Sequence, residues 1–363
     1  MKKTRVVVGM SGGVDSSVTA YLLQKQGFEV IGVTMKLWPQ DCAAILSDKC
    51  CGPQAMMDAR GVAHHIGIPH YVVDDQALFQ KKVVDYFAAE YLSGRTPNPC
   101  ILCNEHVKFG SLMDRAREMG AEFVATGHYA RIEKSGANGS TRFLLKRGRD
   151  LRKDQSYFLF SLRQDQLAAS LMPLGALSKA ETRALAAELG MKVADKEESM
   201  EICFVPENDY GKFLRETMHV APREGEIVDT AGKVLGRHNG IENFTIGQRK
   251  GIGIAAPKPY YVVALDAEKN RVVVGNNDDL LTSEFVANDV RWIPFEAPSA
   301  PIECTAKVRH NHHGGAPATV TALENGRARV KLHQPQRAVT PGQAAVFYDG
   351  DLVLGGGWIG NTK

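Results

Sequence analysis

The sequence lacks any apolar run long enough to cross a bilayer, which argues against a membrane-spanning helix. It opens Met1-Lys2-Lys3-Thr4-Arg5 and passes directly into Val6-Val7-Val8 and a glycine loop. The longer apolar stretch and small-residue cleavage site of a signal peptide are missing, so a soluble, cytoplasmic protein with no membrane partner is expected. An excess of one charge is also missing: 44 Lys and Arg stand against 41 Asp and Glu, a net charge of +3. So small a total does not exclude a nucleic-acid partner, because a basic stripe on one face counts for more than the sum. There is no internal repeat, and no Gly-Lys-Ser or Gly-Lys-Thr, which excludes a Walker phosphate loop. The seven cysteines are odd in number and spread over 363 residues, unlike the even set of a small secreted disulfide scaffold. In a reducing compartment such thiols serve catalysis or metal binding. Cys42 and Cys304 have no motif around them and read as small buried hydrophobes.

Hydrophobic residues make up 44% of the chain, enough for a sizeable core, and the length suits two or three domains. The first part alternates strands and helices. Arg5–Met10, Val30–Thr34, Tyr71–Val73 and Phe123–Thr126 read as strands, with helices at Ser16–Gln26, Pro53–Ile66, Ala77–Leu92 and Glu105–Met119. That alternation predicts an α/β fold with a doubly wound parallel sheet, whose ligands bind at the carboxyl ends of the strands. Met10-Ser11-Gly12-Gly13 and Thr126-Gly127-His128 both fall at such ends. A further helix at Lys179–Leu189 has capping-box spacing between Ser178 and Glu181, and Gly190 to stop it. After about residue 205 short strands and turns take over. Hairpins are expected around 229–232 and 266–270, then closely spaced strands with turns such as Asn325-Gly326. The reading is a catalytic domain over 1–205, a small β-rich central domain over 206–280 and a C-terminal β-barrel over 281–363. Pro294–Pro301, with three prolines, reads as a linker.

Gly9-Met10-Ser11-Gly12-Gly13-Val14-Asp15-Ser16-Ser17 joins a strand to a helix. Glycines let the backbone approach phosphate oxygens, the serines add hydroxyl donors, and a helix N-terminus offers unbonded N–H groups and partial positive charge. Asp15 suits Mg²⁺ coordination or orientation of a hydroxyl. The bland alternative is an ordinary glycine-containing turn. The string Ser11-Gly12-Gly13-Val14-Asp15-Ser16 resembles the pyrophosphate loop of the N-type ATP pyrophosphatases, which activate an oxygen with AMP and release pyrophosphate. Their sheet is of the adenine nucleotide alpha hydrolase type.

Two cysteine segments select a branch. Thr96-Pro97-Asn98-Pro99-Cys100-Ile101-Leu102-Cys103-Asn104 is a proline-stiffened loop leading into a helix, and a cysteine at a helix N-terminus has its thiolate favoured, with Lys108 assisting. Cys100 and Cys103 form a C-x-x-C, readable also as a redox pair or half a zinc site, although the spacing to Cys50-Cys51 is wrong for a zinc ribbon. Cys203, between Ile202 and Phe204, would by itself be a core residue. Together with Ala125-Thr126-Gly127-His128-Tyr129, Lys153-Asp154-Gln155-Ser156-Tyr157, Phe244-Thr245-Ile246-Gly247-Gln248-Arg249-Lys250-Gly251 and Pro341-Gly342-Gln343, these segments resemble the bacterial tRNA-specific 2-thiouridylases, in order over nearly the whole chain.

The resemblance implies a function: ATP-dependent, Mg²⁺-assisted 2-thiolation of the wobble uridine of tRNAs for Glu, Gln and Lys. Sulfur would come from a cysteine desulfurase, directly or through a relay protein. It also implies roles. Gly9, Met10, Ser11, Gly12, Gly13, Val14, Asp15, Ser16, Met35 and Gly127 bind the nucleotide. Cys103 is the nucleophile and Cys203 carries the persulfide. Asn98, Pro99 and Cys100 meet the target base, and His128, Lys153, Asp154, Gln155, Arg309, His310 and Gln343 contact tRNA. Members often carry Asp where this chain has Cys100, which leaves the general acid–base open. The chemistry is coherent: adenylation makes the amide-like C2 oxygen a leaving group, sulfur attacks C2, and a second cysteine resolves the persulfide as a disulfide. The target uridine has to leave the anticodon stack to be reached. Two rivals stay open at this point. An amidating ATP pyrophosphatase needs an ammonia-supplying segment, and none is evident. An RNA-binding module with a vestigial nucleotide fold would use Arg237, Arg249, Lys250, Arg309 and Lys331. His64-His65 and His312-His313 invite a metal reading, but paired surface histidines usually bind nothing.

Overall fold

The computed structural model describes residues 3–38, 52–136, 141–191, 193–194, 196, 202–205, 209–312 and 314–361. Cys42, Cys50, Cys51 and His313, all named above, lie outside the described residues. The chain divides into two compact units. The first comprises Met1–Val84, Cys100–Pro206 and Asp351–Val353; the second comprises Asp85–Pro99, Glu207–Gly350 and Leu354–Lys363.

In the first unit β1 (Arg5–Gly9), β2 (Glu29–Lys36), β3 (His70–Asp74), β4 (Phe123–Ala125), β5 (Ala130–Ser135), β6 (Arg142–Arg147) and β7 (Ser170–Leu171) follow in chain order. The parallel sheet runs β3-β2-β1-β4-β7. Val6, Val7 and Val8 of its central strand are all fully buried, as expected for a parallel strand covered on both faces. Val6 and Val8 join the core formed with α1 (Val14–Lys25) and α2 (Pro53–His65). Leu112–Glu118, the last part of a helix over 99–118, packs against β1 and β4. Strand order reverses between β1 and β4, so the loops after these two strands open side by side at the switch point of the sheet. The hairpin β5–β6 and the two-residue β7 were not apparent in the sequence, because their apolar residues do not alternate cleanly.

Among the described residues, two helices contain a π-helical stretch. One runs α-helically from Gln76 to Phe79, widens over Gln80–Val84 and returns to α geometry at Asp85–Leu92. The other starts at Pro99, widens over Cys103–Ser111 and continues as Leu112–Glu118. Widening leaves carbonyls without their usual i+4 partners. The buried Gln166 amide donates to two of them, Glu105 O at 3.0 Å and Phe109 O at 2.7 Å. The helix expected at Glu105 thus begins six residues earlier, at a proline whose missing N–H costs nothing in a first turn. The later helix is Lys179–Glu188, with the expected box: Glu181 N donates to Ser178 Oγ at 3.3 Å and Ser178 N to Glu181 Oε2 at 2.6 Å.

The second unit is β-rich. β8 (Glu224–Asp229), β9 (Val234–Asn239), β10 (Tyr261–Asp266) and β11 (Arg271–Gly275) form a sheet in the order β10-β11-β8-β9, over a core that includes Ile227, Phe244, Val262, Val272 and Val274. Among the described residues, β12 (Leu281–Trp292), β13 (Ile302–Lys307), β14 (Ala316–Leu323), β15 (Arg327–Arg337), β16 (Ala344–Asp349) and β17 (Leu352–Ile359) make a barrel. It runs β12-β15-β14-β13-β16-β17 and closes by pairing β12 with β17, which removes the sheet edges. Asn325 and Gly326, both at positive φ, turn the hairpin between β14 and β15. Pro294–Pro301 lies between barrel strands β12 and β13 and is a loop of the barrel; its three prolines keep the connection out of the ladders.

Asp85–Leu92 and helix Tyr210–Glu216 meet in this unit through an aromatic cluster. Phe87 is fully buried, with ring centroids 4.9 Å from Tyr91, 5.9 Å from Tyr210 and 6.0 Å from Phe213. Replacing Phe87 by Ala should therefore lower stability by about 3–5 kcal/mol. The loss should appear as an earlier midpoint in denaturant unfolding followed by near-ultraviolet circular dichroism; an unshifted midpoint would contradict the packing.

Candidate functional site

The loop after β1 is shaped by glycines that admit no side chain. Gly12 has φ of +70°, and a Cβ there would stand 2.2 Å from the Ala55 carbonyl oxygen in α2. A Cβ on Gly127, at the end of β4, would stand 2.9 Å from the Asp15 backbone carbon and from Ser16 N in the first turn of α1. The two strand ends and the helix start are thus in backbone contact. Gly13 precedes α1, and no side chain caps that helix. Ser11 N donates to Ser16 Oγ at 3.2 Å, and the Ser16 and Ser17 hydroxyls donate to Gly13 O at 3.1 and 2.8 Å. These bonds fold the loop upon itself and present the α1 N-terminus with its amides uncapped, the arrangement that accepts an anion. Met10 N donates to Val33 O at 2.8 Å, and Thr34 Oγ1 donates to Met10 O at 2.7 Å, tying the loop to β2 just before the half-buried Met35. Lys196 Nζ lies 3.4 Å from Gly12 O and 2.8 Å from Asp58 Oδ2.

One residue that sequence reasoning missed sits at this site. Lys179, only 8% exposed, brings Nζ to 2.7 and 2.8 Å from the two Asp15 carboxylate oxygens. Tyr129 Oη donates to Asp15 Oδ1 at 2.9 Å and lies 3.0 Å from Thr182 Oγ1, one turn after Lys179. The sequence signalled the start of the helix at Ser178 but not the direction in which the next residue points.

His128 is buried beside the sheet. Its Nδ1 is 2.7 Å from Thr126 Oγ1 and its ring 5.9 Å from that of Phe109. Burial, with a contribution from the Lys108 charge, holds it well below the usual histidine range, so it is neutral near pH 7. Asp154 and Gln155 spend their side chains inside the fold. Asp154 accepts from Gly148 N at 3.2 Å, Ser156 N at 3.0 Å and Ser156 Oγ at 3.0 Å. Gln155 Oε1 accepts from Tyr129 N at 3.0 Å while Gln155 N donates to Tyr129 O at 3.0 Å. Both fix the backbone beside Gly127 and His128. Lys153, two residues before Gln155, is half-buried.

The cysteine helix differs from its sequence reading in where it starts. Cys100 lies in its first turn and is exposed; Cys103 lies one turn further and is buried. Three residues apart, they share one side of the helix. The dipole effect fades within a turn, so it favours a charge on Cys100 more than on Cys103. Asn104 donates Nδ2 to Phe158 O at 3.0 Å, which anchors the helix at Cys103. Cys203 is half-buried. Its neighbour Phe204 stacks on Trp38 with centroids 6.2 Å apart and meets Phe79 edge-on at 5.6 Å, so the segment is held by its aromatic residue. Cys304 is in the barrel, with burial the main cause pushing its thiol up to about 12, as suits a structural residue.

In the second unit, Gln343 donates Nε2 to Thr96 O at 3.0 Å and to Pro97 O at 3.3 Å, and Thr96 N donates to Pro341 O at 2.9 Å. Gln343 thus holds the backbone that carries the half-buried Asn98 and the buried Pro99. Arg309 and His310 are exposed on the barrel, and Arg309 Nη1 donates to Arg337 O at 3.1 Å. Among the described residues no helix is long and apolar enough to cross a membrane, and no three His, Cys, Asp or Glu side chains gather as a metal site.

Comparison with known proteins gives matches along the chain. Family models match residues 4–207 (tRNA methyl transferase HUP domain), 211–276 (tRNA methyl transferase PRC-barrel domain) and 282–359 (aminomethyltransferase beta-barrel domain). A tRNA-specific 2-thiouridylase of Geobacter metallireducens is 52% identical over 98% of this chain and 97% of its own. One from Acetivibrio thermocellus is 49% identical over 99% of this chain and 100% of its own. One from Clostridium botulinum is 49% identical over 98% and 99%.

The depressed His128 sets a pH dependence. An unfolded histidine takes up a proton near pH 6.5 whereas His128 in the folded chain does not, so its contribution is complete above pH 6.5 and shrinks as the pH falls below it. The slope is up to about 1.4 kcal/mol per pH unit. Unfolding free energies between pH 7 and pH 5 should fall less steeply for His128→Asn than for the unaltered chain; parallel curves would contradict a buried neutral imidazole.

Proposed function

The chain belongs to the tRNA-specific 2-thiouridylase family, and from that premise we propose that it binds ATP at the loop after β1, adenylates the C2 oxygen of a tRNA wobble uridine and replaces that oxygen with sulfur carried by its own cysteines. Thiolation of tRNA uridine is the activity of the family. The methyl-transferase wording of two of the matched models is set aside, because the relatives that match over nearly their full length are named for thiolation.

The observation that carries the ATP reading is the pair of close approaches at Gly12 and Gly127, which leave backbone where side chains would otherwise stand, around an uncapped helix start. An uncapped helix start beside a glycine loop would suit a polyphosphate. Gly9–Ser16 and Gly127 would hold the nucleotide, with Met35 beside its base. Mg²⁺, held through Asp15, would neutralise phosphate charge when bound.

In the proposed reaction the uracil C2 oxygen takes AMP and pyrophosphate departs. Cys203 carries a sulfane sulfur as a persulfide, charged by a cysteine desulfurase or a relay protein. The terminal sulfur attacks C2. The Cys103 thiolate attacks Cys203 Sγ, the S–S bond to the transferred sulfur breaks, and its electron pair stays with that sulfur. The C2=S bond then forms as AMP leaves. A Cys103–Cys203 disulfide remains, and a thiol reductant, itself oxidised, returns it to the two thiols. The buried position of Cys103 suits a resolving thiol shielded from bulk oxidants. Asn98, Pro99 and Cys100 would face the extruded base, while Lys153, Arg309, His310 and the barrel would bind tRNA phosphates. His128, Asp154, Gln155 and Gln343 would act mainly by holding those segments in position. The three-domain division 1–205, 206–280 and 281–363, a cytoplasmic location and tRNAs for Glu, Gln and Lys as substrates complete the reading.

Incubating the protein with tRNA and α-labelled ATP should give AMP and pyrophosphate, and release of ADP and phosphate instead would sink the adenylation step. Cys203→Ser should fail to accept persulfide sulfur, whereas Cys103→Ser should be charged on Cys203 yet transfer nothing. Full thiolation by either variant, read by mass spectrometry of the tRNA nucleosides, would remove that cysteine from its role.

A further inference from the structure

The glycine loop contains no lysine, and the first turn of α1 carries the negative charge of Asp15 where phosphate oxygens would lie. A helix N-terminus favours anions, but a carboxylate in the same place repels them. The cation that offsets it comes from 164 residues further along the chain: Lys179 Nζ at 2.7 and 2.8 Å from both Asp15 oxygens. Its backbone is fixed as firmly as its side chain. Ser178 caps the helix start, Lys179 N donates to Asp150 Oδ2 at 3.2 Å, and Tyr129, whose hydroxyl also reaches Asp15, lies under the ammonium with its ring centroid at 5.7 Å. Another lysine near the loop, Lys196, is bonded to Asp58 and touches a carbonyl, which places it as a brace. Hydrogen bonds from Lys196 and Gln54 hold Asp58 below the usual carboxylate range in spite of burial.

A buried lysine paired with a carboxylate at a phosphate loop has two uses for its charge. We propose that Lys179 is the phosphate-binding cation of this site: it keeps Asp15 neutralised in the nucleotide-free chain and exchanges an Asp15 oxygen for a β- or γ-phosphate oxygen when ATP enters. The inference rests on the ATP reading of the loop. In the adenylation step a bond forms between the uracil oxygen and Pα, and the bond from Pα to the β-phosphate oxygen breaks. The electron pair and negative charge leave with pyrophosphate. A cation held on the β and γ phosphates stabilises that charge as it develops. The lysine of a Walker loop reaches the same phosphates from within the loop; in this chain the tertiary fold supplies it from the start of another helix.

The test is calorimetric titration of the full-length protein with ATP, AMP and inorganic pyrophosphate. Lys179→Met, of similar length, should weaken ATP and pyrophosphate at least about tenfold, the worth of a charge-assisted hydrogen bond, and leave AMP within about twofold. Lys179→Arg should recover part of the loss. Equal losses for ATP and AMP would mean that the lysine only supports the fold and would overturn the proposal, as would unchanged ATP affinity. If Lys179→Met does not fold, the comparison is made between Asp15→Asn and Asp15→Asn/Lys179→Met, where the Asp15 carboxylate is not left without its cation. Pyrophosphate affinity should again fall in the double variant, and equal affinity would overturn the proposal. An unaltered protein that binds neither ATP nor pyrophosphate would remove the ATP reading itself, a result distinct from any difference between variants.

Discussion

The fold of the first unit turns on one steric constraint: the end of β4 touches the first turn of α1 with no atom between them but a glycine hydrogen. A Cβ on Gly127 would lie 2.9 Å from three atoms of Asp15 and Ser16. Real Cβ atoms do not come that close, so any other residue would push the helix start away from the sheet. The same helix start is fixed on its other side by Gly12, whose positive φ and contact with Ala55 likewise exclude a side chain. Two loops that sequence order keeps more than a hundred residues apart become one surface of backbone amides at the switch point of the sheet.

Charge is organised around that surface. Asp15 is negative at the positive end of a helix dipole, and the fold answers with a lysine and a tyrosine hydroxyl brought from two other segments. Burying Lys179 this far is tolerated because its partner is bonded through both oxygens. Nearby, Asp154 and Gln155 serve as backbone braces. Polar residues next to a binding surface often act on the main chain that shapes it, and a short motif in the sequence does not distinguish that role from direct contact with a ligand.

The sulfur chemistry proposed above depends on a helix whose geometry is irregular for a reason. Pro99 starts it without wasting an N–H, and the widened turns after Cys103 release carbonyls that Gln166 satisfies. The irregularity survives because its polar groups are paired, and it fixes which cysteine is covered and which faces solvent. Cys203 is held differently, by an aromatic neighbour packed between Trp38 and Phe79.

Much of this was legible in the residues. Runs such as Val6-Val7-Val8 and the helix signals Pro53 and Ser178 gave the alternation of strand and helix, because buried parallel strands and caps follow from local composition. The glycine loop, the C-x-x-C and Cys203 were visible as motifs, since phosphate and sulfur chemistry demand particular residue types. Strands with weak alternation were not visible: β5, β6 and most of β12 owe their form to partners distant in sequence. The widened helices were hidden as well, for what stabilises them is a glutamine more than fifty residues away. The sequence by itself determined which groups are available and the order in which they occur. Only the tertiary structure decided that Lys179 faces Asp15, that Gly127 touches α1, and which of Cys100 and Cys103 is buried. Each of these is a contact across the fold, set by how sheet and helices pack and not by the residues on either side.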